Sequence, residues 1–132
     1  MDSPILNELE LASPEVVRQA ARDFAQVLAE TTQFKAFEQA NDRLNNDEQA
    51  QRVLEAFQAK QQSLRAMLML NAASAEETAE LERLRAAVLA DPSVAAYLQA
   101  QQDLTAVCHA AADLLLQQIG LNFASACSPC CC

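Results

Sequence analysis

D-P-S-V-A-A-Y-L-Q-A-Q-Q-D-L-T-A-V-C-H-A-A-A-D-L-L-L-Q-Q-I-G, residues 91–120, is the stretch that decides the fold of this chain. An aspartate before a proline is typical of a helix start, and a glycine is typical of the position just after a helix ends. The stretch therefore predicts one helix over residues 92–119, roughly 40 Å long at about 1.5 Å per residue. A compact domain of 132 residues does not need a helix of that length.

This last helix has an apolar seam whose positions alternate in spacings of four and three, as in a short coiled coil. The seam consists of Val94, Leu98, Gln101, Thr105, Cys108, Ala112, Leu115 and Ile119. Since one chain of this length cannot easily cover such a helix on all sides, we expect self-association into a dimer or larger assembly. The predicted interface residues are Val94, Leu98, Cys108, Leu115 and Ile119. A monomeric bundle of long antiparallel helices is the alternative.

The composition predicts an all-α fold. Alanine, leucine, glutamine and glutamate dominate, and these residues are strong helix formers. The β-branched and aromatic residues that favour strands are scarce, and a single glycine, Gly120, cannot supply the turns of a sheet.

Start signals place four further helices before the last one. Ser13-Pro14-Glu15 begins the first helix, and the Thr31-Thr32 pair either separates it from the second or bends one continuous helix. Asp47 caps the third helix, which we expect to run to about residue 72. Ser74 and Glu77 form a capping box for a fourth helix that ends near residue 90. The predicted domain is then 14–120, between a partly ordered leader, 1–13, and a cysteine-rich tail, 121–132.

The net charge of −9 argues against direct binding to nucleic acid, because phosphate contacts need clustered lysines and arginines. Arg85 is the last basic residue of the chain. No apolar run approaches the roughly 20 residues of a membrane-spanning helix, and residues 1–10 are acidic and unlike a signal peptide. We therefore expect a cytoplasmic protein without membrane insertion, whose cysteines are thiols or metal ligands rather than structural disulfides.

The sequence holds too few catalytic groups to predict an enzyme. His109 is the one histidine, and it follows Cys108 directly on the last helix. Adjacent helical residues point about 100° apart, so these two side chains cannot form a nucleophile–base pair. Cys108 lies on the apolar seam, where a cysteine behaves as a small hydrophobic residue. The carboxylates are spread along helix faces, often near basic residues, and no residue is predicted to be catalytic.

The tail concentrates the remaining chemistry. It ends in C-S-P-C-C-C, with Cys127, Cys130, Cys131 and Cys132 within six residues. Cys127 and Cys130 have the C-x-x-C spacing at which two thiolates reach one metal or cluster. Because neighbouring residues of an extended chain point to opposite sides, the three adjacent cysteines are unsuited to ligating one tetrahedral centre together.

Several functions of the tail remain open at this point. The four cysteines can contribute thiolates to an iron–sulfur cluster, with further ligands from another chain, or bind zinc without redox chemistry. Lipid attachment to cysteine is a third interpretation, although the last four residues do not fit the C-a-a-X pattern. A tail without a specific role is the fourth.

The chain resembles the YlbF/YmcA family of small bacterial helical proteins over residues 16–119. The resemblance rests on three helical segments: A-R-D-F-A-Q-V-L-A-E-T-T-Q-F-K-A-F (21–37), L-N-N-D-E-Q-A-Q-R-V-L-E-A-F-Q (44–58) and D-P-S-V-A-A-Y-L-Q-A-Q-Q-D-L (91–104). These are helix-packing patterns rather than catalytic motifs.

The resemblance implies long helices that dimerise or form larger assemblies, including complexes of related paralogues with a further protein partner. Such complexes are associated with [4Fe–4S] clusters held by cysteines near the C-termini, with mRNA processing by an endoribonuclease, and with competence, sporulation and biofilm formation. The resemblance thus favours a regulatory or scaffold subunit whose Cys127, Cys130, Cys131 and Cys132 share a [4Fe–4S] cluster with a partner. The competing hypothesis is a structural helical adapter without a cofactor.

Overall fold

The computed structural model describes residues 13–120, which form five helices and no strand. The helices are α1 (Pro14–Ala29), α2 (Thr32–Asn46), α3 (Glu48–Met69), α4 (Ala75–Ala90) and α5 (Pro92–Ile119). The all-α prediction is confirmed. The leader up to residue 12 and the tail 121–132, with its four cysteines, lie outside the described residues.

Local side-chain chemistry sets the helix starts. Ser13, Thr31, Asp47, Ser74 and Asp91 each accept a hydrogen bond from a backbone N–H in the first turn of the helix that follows. The Ser74 hydroxyl accepts from the N–H of Glu77, and the Glu77 carboxylate accepts from the N–H of Ser74, which is the predicted capping box. The break at Thr31 makes α1 and α2 two helices rather than one bent helix.

The C-terminus of α3 differs from the prediction, since the helix ends at Met69 rather than near residue 72. Asn71 adopts a left-handed conformation with φ 51°, and its N–H donates to the carbonyl of Leu68. The N–H of Ala72 donates to the carbonyl of Met67 at 2.8 Å. These two bonds form a Schellman motif, which ends a helix. The motif needs one residue in the left-handed conformation, which asparagine adopts more readily than most residues.

The helices pack as two pairs. Helix α2 packs mainly against α5, and α3 packs against α4. The pairs meet where α2 connects to α3 and α4 connects to α5, around a small apolar cluster. Its buried members are Leu44, Ala50, Val88 and Val94, with Val53, Leu54, Phe57 and Tyr97 packed against them. Leu64 is buried separately on α3, with 2% of its surface exposed.

A polar junction joins the two connections. Asp47, the N-cap of α3, accepts hydrogen bonds from the backbone N–H groups of Gln49 and Ala50 at 3.1 and 3.2 Å. The fully buried Ser93, in the first turn of α5, donates its hydroxyl to the other carboxylate oxygen of Asp47 at 2.6 Å. One carboxylate therefore caps α3 and ties it to the start of α5.

Candidate protein interface

Helix α5 has two stripes of side chains about 100° apart, because each stripe is offset from the other by one residue. The inner stripe faces α2 and is at least partly buried; it consists of Tyr97, Ala100, Leu104, Val107 and Ala111. The outer stripe consists of Leu98, Gln101, Thr105, Cys108, Ala112, Leu115 and Ile119, all exposed except the half-buried Ala112. The chain's own packing therefore uses one stripe and leaves the other largely open.

The predicted interface residues divide between these environments. Val94 is 4% exposed and belongs to the chain's own core, beside Leu44 and Val88, at the inner end of a cavity that also reaches Leu98. Leu98, Cys108, Leu115 and Ile119 are all exposed and lie together on the outer stripe. The sequence grouped Val94 with them because Val94 lies four residues before Leu98 and three before Tyr97, and therefore between the two stripes in angle.

Two cavities lie one after the other beside the outer stripe, and together they form the groove described below. Near Cys108 it forms a cavity of about 370 Å³ lined by Phe37 and by Leu104, Thr105 and Ala112. Near Leu98 it forms a second cavity of about 540 Å³, which reaches the core side chains and has Arg85 as its one charged lining residue. The rings of Phe37 and Tyr97, 5.4 Å apart, pack between α2 and α5. We call this feature the outer groove; it is apolar and poor in charge.

Helix α1 presents the second open apolar face. None of its residues is buried, although its apolar side chains recur at helical spacing. Val17, Phe24 and Val27 are 59%, 53% and 63% exposed. The opposite face is polar, with Glu15 paired to Arg18 and Arg22 at 3.2 and 3.5 Å.

The interface prediction from the sequence did not include α1. Its apolar stripe was visible in the sequence, but a stripe indicates only that a face is suited to burial. It does not indicate whether the covering surface belongs to the same chain.

The polar junction shifts one titration. The hydrogen bond from Ser93 and then that from the Ala50 N–H lower the pKa of Asp47 below its ordinary value of 3.8, and desolvation opposes them. Both carboxylate oxygens of Asp47 and the Oδ1 atom of Asp91 accept hydrogen bonds that cap or join helices, so the junction supports the fold.

The described residues contain no group of three or more side chains that could hold a metal ion. Within residues 13–120, Cys108 is a free and exposed cysteine, and both it and His109 line the outer groove. The predicted cluster ligands, Cys127, Cys130, Cys131 and Cys132, lie outside the described residues. Thiolate sulfur is the donor that iron–sulfur clusters take from cysteine, so these four residues suit a cluster in kind.

No helix within residues 13–120 is long and apolar enough to cross a membrane.

A family model described as "Control of competence regulator ComK, YlbF/YmcA" matches residues 17–119, which is more than half of the chain. No curated protein and no solved structure matches the chain.

Proposed function

The chain belongs to the YlbF/YmcA family of competence-control regulators, and we propose that it is a non-enzymatic subunit that acts by docking its helices onto other proteins. The observation that carries this proposal is the pair of open apolar surfaces, the α1 face and the outer groove of α5. Monomeric proteins rarely expose large contiguous apolar patches, and such patches mark interaction sites. Self-association is the first interaction we propose, and related chains with a further protein partner are the second.

The proposal extends to the tail. Cys127, Cys130, Cys131 and Cys132 contribute thiolates to a [4Fe–4S] cluster shared with a partner chain, because adjacent cysteines cannot all reach one centre. When bound, such a cluster makes assembly depend on iron and on redox state, since a ligand that binds the assembled form stabilises it. The regulatory output would be mRNA processing by an endoribonuclease, with effects on competence, sporulation or biofilm formation.

Anaerobic co-purification with related chains and their partner tests the cluster. We expect visible absorption typical of an iron–sulfur cluster and matching iron and sulfide content. Both should be lost when Cys127, Cys130, Cys131 and Cys132 are changed to serine. Cys108→Ser is the matched control for the iron and sulfide content, because Cys108 lies on α5 outside the tail; since it lines the outer groove, it is not a control for assembly. Iron-free protein that still assembles fully would contradict the cluster.

The alternative is a helical adapter without a cofactor, whose tail binds zinc, responds to oxidation or is inert. The same open surfaces support it, because the residues that form them lie within the described range 13–120. It predicts that deletion of residues 127–132 leaves oligomerisation and partner binding unchanged. Sedimentation of the deleted and intact chains, alone and with the partner, separates the two hypotheses.

A further inference from the structure

We infer that the two open surfaces cover each other between copies, with α1 of one copy docked in the outer groove of a second copy, and reciprocally. This inference rests on the proposed self-association and names the surfaces that perform it. It differs from a symmetric α5–α5 contact, in which α1 would play no part.

Helix α1 packs against the rest of the described chain near its C-terminal end. Near its C-terminus, Leu28 and Ala29 are half-buried, and the Thr31 hydroxyl donates to the carbonyl of Leu28 at 2.7 Å. The same hydroxyl oxygen accepts from the N–H of Phe34 at 3.1 Å and so caps α2. Residues 14–27 are all exposed, so within the described residues the packing of α1 is concentrated at this junction.

Helix α1 and the outer groove have similar lengths. Helix α1 has 16 residues, which gives about 24 Å at 1.5 Å per residue. The two cavities of the outer groove are lined by α5 residues from Val94 to Ala112, which span about 27 Å by the same rise. The whole apolar face of α1 can therefore lie against the groove.

The two surfaces also match in chemistry. The α1 stripe of Val17, Ala20, Phe24, Val27 and Leu28 has no charged member, and its ion pairs lie on the opposite face. The groove wall is apolar or neutral except for Arg85. Docking these faces desolvates almost no charge, which avoids the main cost of burying polar helix surface.

Reciprocal docking gives an interface of ordinary size. Each copy contributes one α1 face and one groove, so each docking needs to bury only about 400 Å² per partner to reach the standard value of about 800 Å². A helix face about 24 Å long and 10–12 Å wide projects about 250 Å², and its corrugated accessible surface is larger. The exposed Val17, Phe24 and Val27 supply the apolar centre that such an interface needs.

Site-specific photo-cross-linking tests this arrangement in the full chain with all its cysteines. p-Benzoylphenylalanine replaces Phe24 on the apolar face of α1, and, as the matched control, Gln26 on the polar face. Chains labelled with ¹⁴N and ¹⁵N are mixed, so that mixed-isotope products identify cross-links between copies. Because Arg85 is the last basic residue, trypsin leaves α5 uncut, and cleavage before Asp91, Asp103 and Asp113 is used instead.

We expect mixed-isotope cross-links from position 24 to the peptides 91–102 and 103–112. The same cross-links should be absent when the cross-linker is at position 26. A dimeric chain whose position-24 cross-links map to another α1, or to residues of α3 and α4 that do not line the groove, overturns the inference and leaves self-association standing. Cross-links confined to one chain, including those to residues 1–12 or 121–132, also overturn it. A chain that sediments as a monomer overturns both this inference and the proposed self-association.

Discussion

Helices α1 and α4 both have 16 residues, yet the fold uses them in opposite ways. The apolar residues of α1 follow the helical repeat closely, but none of its side chains is buried. Helix α4 has a much weaker apolar periodicity, but it packs against α3 and buries Val88. Amphipathic pattern therefore does not identify the helices that hold this chain together. We infer that α4 serves the chain's own stability and α1 serves association, and three of the following predictions test that division.

The largest expected effect is on the α3–α4 side. Leu64 is 2% exposed, so Leu64→Ala leaves a cavity and should lower the free energy of unfolding by about 2–5 kcal/mol. Urea denaturation followed by circular dichroism measures this change. Leu70→Ala on the same hairpin is the control, because Leu70 is 78% exposed and its truncation should change stability by no more than about 0.5 kcal/mol. Equal effects of the two substitutions would show that the α3–α4 pair is not a stabilising core.

The second effect is on association. Changing Val17 and Phe24 together to serine removes the centre of the α1 face, and should weaken self-association at least about tenfold, or about 1.4 kcal/mol. The unfolding of the dilute chain should hardly change, since both side chains are more than half exposed. Sedimentation at several concentrations gives the dissociation constant. The control changes Gln19 and Gln26 on the polar face of α1 together to serine. If the Val17 and Phe24 substitutions lowered stability and left association unchanged, the role assigned to α1 would be reversed.

The sequence predicted the helix starts because their determinants are local. Ser13, Asp47, Ser74 and Asp91 each cap the helix that follows, and a cap needs only its own first turn. The C-terminus of α3 was predicted about three residues late, because left-handed Asn71 carries no signal as clear as a glycine.

The sequence could not predict equally well which face of α5 packs within the chain and which stays exposed. Alanines occur on every side of α5, so its sequence does not single out one face for packing within the chain. The contact of Tyr97 with Phe37 places the inner stripe against α2. Four of the five predicted interface residues nevertheless lie together on the exposed outer stripe, while Val94 belongs to the core. Their role in association stays a prediction, as does the role of the tail cysteines.

A third and smaller effect concerns the polar junction. The Ser93 hydroxyl, followed by the Ala50 N–H, holds the pKa of Asp47 below 3.8 in the folded chain. The charged carboxylate therefore adds stability above pH 3.8, and this contribution is lost as the pH falls through the lowered folded pKa. Asp47→Asn should reduce stability at neutral pH, and the difference from the unmodified chain should shrink in acid.

Urea midpoints measured from neutral pH to below pH 3 check this behaviour. Ser93→Ala is the comparison variant: it removes the largest cause of the shift and should reduce the pH dependence without abolishing it, because the Gln49 and Ala50 N–H groups remain. A difference between Asp47→Asn and the unmodified chain that grows in acid would contradict the assignment.

The smallest expected effect returns to the α3–α4 pair. Lys60 on α3 donates to Glu80 on α4 at 3.0 Å, with side chains 24% and 49% exposed. Because both charges keep contact with water, Lys60→Gln should cost less than about 1 kcal/mol, and less still at high salt. The control, Arg52→Gln, removes an ion pair within α3 whose side chains are 71% and 87% exposed, and should have a smaller effect. Salt-dependent denaturation of both variants measures the difference. A cost from Lys60→Gln that approaches that of Leu64→Ala would mean that charge pairing, rather than the burial of Leu64 and Val88, holds α4 in place.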